Sequence, residues 1–102
     1  MDKLSLPVAC SLTEAELQAR RSLVLEKAKA AVLEVKELAD GYGYLFPSDD
    51  LWLKELFNLV SLERQCCPFL NFKLIIEAGH RPVWLEITGP NGAKDFLKDL
   101  FG

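Results

Sequence analysis

Histidine and cysteine are scarce in this chain: one His and three Cys in 102 residues. Structural zinc sites draw four ligands from Cys and His, commonly as CxxC pairs, and no such pair occurs. Long hydrophobic runs are also missing, since none reaches the roughly 18 residues that a membrane span requires. Positive charge is in deficit, with 12 Lys and Arg against 15 Asp and Glu, a net charge of −3. That balance argues against a nucleic-acid or anionic-membrane partner, whose phosphates call for clustered Lys and Arg. Met1-Asp2-Lys3-Leu4 lacks the basic start and apolar stretch of a secretory signal. An odd number of cysteines, two of them adjacent, makes a poor disulfide framework. The expectation is a cytoplasmic protein with free thiols. A Gly-Lys-Ser/Thr phosphate loop, HExxH, GxSxG and a dinucleotide fingerprint are all absent, so there is no complete catalytic signature.

What the chain does have is core. Half of its residues are apolar, 26% are charged and 10% aromatic, which excludes disorder and low complexity. Its length suits one domain, residues 1–102, and is too short for two.

Hydrophobic periodicity divides that domain into seven elements. Pro7 keeps the lead-in extended, and a helix is expected to begin near Ser11-Leu12-Thr13, where Thr13 and Glu16 have capping-box spacing. Leu17, Val24, Ala28 and Ala31 recur on its apolar face. Arg20 and Arg21 lie away from most of that stripe and read as solvated surface. Helix gives way to strand between Lys29 and Val32. Leu33 to Leu38 and Tyr42 to Phe46 then form a hairpin, with Asp40-Gly41 as its two-residue turn. Ser48 is the expected cap of a second helix, from about Asp49 to Gln65, whose buried face carries Trp52, Leu53, Leu56, Leu59 and Val60. Pro68 disfavours helix at Cys67, so this helix should end at or before Cys66. Strands over Phe72 to Glu77 and Val83 to Thr88 flank a turn at Gly79-His80-Arg81-Pro82. Gly89-Pro90-Asn91-Gly92 precedes a last helix with Ala93, Phe96, Leu97, Leu100 and Phe101 inward. Leu53-Lys54-Glu55-Leu56-Phe57 recurs 44 residues later as Leu97-Lys98-Asp99-Leu100-Phe101, which suggests two hairpin-helix units. The expected fold is α+β in the order α-ββα-ββα. It has two layers: a four-stranded, mostly antiparallel sheet with helices on one face.

Chemistry concentrates in Leu62-Glu63-Arg64-Gln65-Cys66-Cys67-Pro68-Phe69. Adjacent thiols can hold a soft ion such as Hg(II) or As(III), or contribute to Zn(II) or Cu(I) sites, with Cys10 as a third sulfur if the N-terminal segment folds back. They can also form a strained vicinal disulfide that acts as a redox switch. Equally, free cysteine is among the most buried residue types and often only fills space. A helix C-terminus disfavours a thiolate, and reactive cysteines prefer N-termini. Glu63 falls at the edge of the buried face and needs a partner there. It reads as a structural ion pair or cap for the following loop, or as a group that orients a thiol site together with Arg64. His80 is expected to be an exposed turn residue without a metal role. The turn and cap chemistry of Gly89-Pro90-Asn91-Gly92 accounts for that loop as well as an anion site does.

The motif resembles that of a family of small uncharacterised bacterial proteins carrying an L-E-R-x-C-C-P-F block. In that family the block is flanked by A-C-x-L-T, D-G-Y-x-x-x-F-P and W-L-x-x-T-G-P-x-G. The corresponding stretches here begin at Ala9, Asp40 and Trp84, so the likeness covers nearly the whole chain. It implies no catalytic assignment, and it associates some members with heavy-metal resistance neighbourhoods.

Two functional expectations follow from different classes. One is a non-catalytic thiol site for a soft metal or metalloid, using Cys10, Cys66 and Cys67 with Glu63 and Arg64 in support. The other is a homodimeric interaction module with structural cysteines. If Phe72, Leu74, Ile76, Val83, Leu85 and Ile87 face the helices, then Ile75 and Trp84 face outward, and Leu38 and Leu45 share one face of the first hairpin. Those four residues are the expected interface.

Overall fold

The computed structural model describes residues 14–101. Its elements run α1 (Ala15–Ala31), β1 (Glu34–Leu38), β2 (Gly41–Phe46), α2 (Asp50–Cys66), β3 (Asn71–Ile75), β4 (Val83–Thr88) and α3 (Ala93–Phe101). This is the α+β order expected from the periodicity. The four strands form one sheet in the order β1-β2-β4-β3, and every neighbouring pair is antiparallel. The second strands of the two hairpins therefore meet in the middle.

Alternation decides which face the helices cover. Tyr44 and Phe46 of β2 and Val83, Leu85 and Ile87 of β4 are buried. They form one core with Leu25 and Ala28 of α1, Leu56 and Leu59 of α2, and Ala93 and Leu97 of α3. All three helices thus lie on one side. The opposite face carries the alternate residues, Leu45, Trp84 and Glu86 among them.

Several boundaries differ from the sequence-based expectation. Ser11 to Thr13 lie outside the described residues, and α1 is described from Ala15 with Glu14 as its N-cap, which makes no side-chain cap hydrogen bond. The cap of α2 is Asp49, whose Oδ1 accepts from the Trp52 N–H at 2.9 Å. Ser48 instead turns away, and its hydroxyl donates to the His80 carbonyl at 2.6 Å. The first hairpin closes through Ala39-Asp40, because Leu38 pairs with Gly41. β3 stops at Ile75, two residues short of Glu77. The next pairing would reach Val83 beside Pro82, which has no N–H to donate, and Ile76 is left exposed.

Candidate functional site

The chemistry-bearing motif ends α2. Leu56, Leu59, Leu62, Glu63 and Cys66 are the buried residues of this helix, so its inward stripe carries a carboxylate and a sulfur into the core. At the C-cap the Cys67 N–H donates to the Glu63 carbonyl at 2.6 Å, and the Leu70 N–H donates to the Cys67 carbonyl at 3.1 Å. These bonds satisfy helix-end carbonyls and turn the chain sharply through Pro68. Phe69 then packs edge-on against Phe96 of α3, their centroids 5.2 Å apart. Both Cys66 and Cys67 are fully buried.

Glu63 is 1% exposed, and its partner comes from α1. The Arg21 Nε donates to Glu63 Oε2 at 2.6 Å and Nη2 donates to Oε1 at 3.1 Å, a bidentate pair of the kind that holds both groups in register. Cys67 Sγ sits 3.8 Å from Glu63 Oε1 and 3.9 Å from Arg21 Nη2. Burial works against the Arg21 charge, but the hydrogen bond and charge of Glu63 outweigh it and raise the guanidinium pKa above its ordinary value. For Cys67, burial first and the Glu63 carboxylate second push the thiol up to about 12, against a smaller opposing pull from Arg21. The thiol is therefore protonated at neutral pH, and Cys67 is no ready nucleophile.

The two cysteines are in different states. Cys67 is a free thiol, whereas Cys66 is disulfide-bonded, so no vicinal bond joins them and the expectation of free thiols fails at Cys66. Cys10, the chain's other cysteine, lies outside the described residues. Among the described residues no group of three or more His, Cys, Asp or Glu is placed to hold a metal ion.

Arg64, expected in support of the site, is exposed, and the cation on Glu63 is Arg21. Reading Arg21 as solvated surface is corrected by the same pair. It sits four residues after Leu17 and four before Leu25, one turn from each, which puts it on the inward stripe. A buried Glu63 in search of a cation was the signal for it. His80 is exposed, as expected of a turn residue.

The expected interface residues are placed by the register. Leu45 pairs with Trp84, and Trp84 with Ile75, in one row across the open face. Leu38 lies on the same face but two rows away, opposite Gly41. Lys36 lies over this face, its ammonium 4.2 Å from the Trp84 ring centroid and 3.1 Å from Glu86 Oε2. That path crosses Gly43, where a Cβ would come within 2.7 Å of the lysine chain. The indole is thus partly covered from within the molecule.

Comparison with protein families, curated proteins and solved structures finds no match. No helix among the described residues is long and apolar enough to cross a membrane.

Proposed function

We propose that the end of α2 is a non-catalytic thiol site that takes a soft metalloid or metal ion when reduced, with Cys66, Cys67 and Cys10 as its sulfurs. The observation that carries this reading is the state of the two buried sulfurs: Cys66 is bonded to another sulfur, while its neighbour Cys67 is free. With three cysteines in the chain, Cys10 is the proposed third sulfur, and reduction of the Cys66 disulfide by an external thiol frees its sulfur beside Cys67. Glu63 and Arg21 neutralise each other beside it and fix the end of the helix without acting as ligands.

Charge favours a metalloid here. Arsenious acid, As(OH)3, condenses with three thiols. Three S–H and three As–O bonds break, three As–S bonds form, three waters leave and no oxidation state changes. The product is neutral, as a buried site with a self-neutralised ion pair prefers. A divalent ion on three thiolates would leave a net negative charge, and the Cys67 thiol resists giving up its proton. The test is titration of the reduced protein with arsenite, Hg(II), Cu(I) and Zn(II), followed by intact mass and thiolate absorbance. One equivalent of arsenite should bind, and binding should be lost in Cys66→Ser and Cys67→Ser and weakened in Cys10→Ser. No stoichiometric binding of any of the four, or binding indifferent to these substitutions, overturns the proposal.

A second reading, an interaction module that associates with its own copy, is supported by the sheet. Leu45, Trp84 and Ile75 make an apolar row on the face that the helices leave open.

A further inference from the structure

β1 is an outer strand of the sheet, and among the described residues none pairs with its far side. Soluble proteins usually guard such an edge, because its unpaired N–H and C=O groups template further pairing. Here the helix-side face of the edge is apolar: Val35 is 55% exposed, and Leu33, two residues earlier, is 58% exposed. Beside Val35 opens a cleft of about 110 Å³, lined by Tyr42, Tyr44, Leu97, Lys98 and Phe101. α3 packs against β2 and leaves Val35 bordering this gap.

We infer that β1 pairs antiparallel with β1 of a second copy about a twofold axis at Val35, joining two sheets into one of eight strands. The inference takes from the self-association reading above only that the chain pairs with its own copy, and it places the contact on the sheet edge instead of the open face. Charge selects both partner and register. With Val35 opposite Val35, each Glu34 faces Lys36 of the other copy on the open face, giving two opposite-charge pairs once Lys36 swings from its own Glu86, 3.1 Å away, towards the edge. Moving the axis by one residue sets Glu34 against Glu34, or Lys36 against Lys36. The other sheet edge, β3, reads Asn71-Phe72-Lys73-Leu74-Ile75, with one lysine and no acid, so self-pairing there forms no such pair. Val35 of the second copy would cover Val35 beside the cleft, and each Leu33 would lie opposite Glu37 of the other copy.

The test is sedimentation equilibrium at concentrations up to tens of micromolar, the range of a modest dissociation constant. The wild type should be dimeric. Glu34→Lys and Lys36→Glu should each weaken the dimer by about tenfold or more, because each sets like charges opposite one another. An equimolar mixture of the two variants should restore a dimer, identified as the heterodimer by native mass spectrometry. Val35→Lys, at an exposed position that does not endanger folding, should also dissociate it, while Ile75→Glu on the open face should leave it intact. A monomeric wild type overturns the inference and the self-association reading together. A dimer that survives Glu34→Lys and Val35→Lys but is lost in Ile75→Glu overturns the inference alone. Assemblies larger than a dimer also overturn it, because they need pairing that does not close.

Discussion

Glu63 carries a carboxylate into a core whose other buried residues are hydrophobic, and one guanidinium makes this tolerable. The arrangement is asymmetric in energy. Losing one partner strands the other charge out of water, whereas losing both need cost little. Arg21→Ala should therefore destabilise the fold by about 3–5 kcal/mol, measured as a lowered urea midpoint. The double substitution Arg21→Met with Glu63→Leu should recover most of that loss. Cys67 gives a pH dependence of opposite character to the usual acid transition. Its thiol is raised from the ordinary 9.0 to about 12 in the fold, so the folded chain holds the proton more tightly than the unfolded one. That contribution is complete below pH 9 and is lost as pH rises towards 12. Thermal melts should show stability falling over that window in the wild type, with a flatter profile in Cys67→Ala. Cys67 should also resist alkylation at pH 7.5 until the protein is unfolded.

At the scale of elements, the sheet is held together by close approaches that only glycine permits. A Cβ on Gly41 would lie 1.9 Å from the Ile87 carbonyl oxygen, a backbone atom that cannot step aside. Gly41→Ala should force the β2–β4 ladder apart where the Gly89 N–H also donates to the Asp40 carbonyl at 3.0 Å. A loss of more than about 2 kcal/mol is expected, with Gly43→Ala milder because the atom it meets belongs to the mobile end of Lys36. Near-UV circular dichroism of the two variants separates these outcomes. Elements of this kind were legible in the sequence wherever alternation was unbroken. Val83 to Thr88, the shared face of Ile75 and Trp84 and that of Leu38 and Leu45 follow from period two alone, whereas which face of the first hairpin is inward does not. Caps and turns were less legible, because neighbouring polar residues compete for the same orphan groups. Ser48 and Asp49 are both competent caps, and only the position of the His80 carbonyl decides that Ser48 is used elsewhere. The candidate site was legible to the same limited extent. Glu63 at the edge of the buried face, with Cys67 one turn beyond, could be read from the helix stripe. For its cation, spacing places Arg21 on the inward stripe of α1 but does not reveal its pairing with Glu63, because the two are 42 residues apart and pairing across two helices leaves no local spacing.

For the whole molecule, the strand order β1-β2-β4-β3 has a consequence in time. Each hairpin joins strands near in sequence and forms on the microsecond scale of such units. The central seam is different: it matches Phe46 with Val83 and Gly41 with Thr88, with all of α2 in between. Closing it takes a long loop, and non-local closures of this kind are slow. Before it closes, each half of the chain exposes an unpaired inner strand with the same hydrogen-bonding sense as the strand it awaits. A second chain at the same stage can supply that strand as well as the first can. Refolding at high concentration therefore favours dimers that have exchanged halves, each half folded as in the monomer, while dilution lets every chain close its own seam.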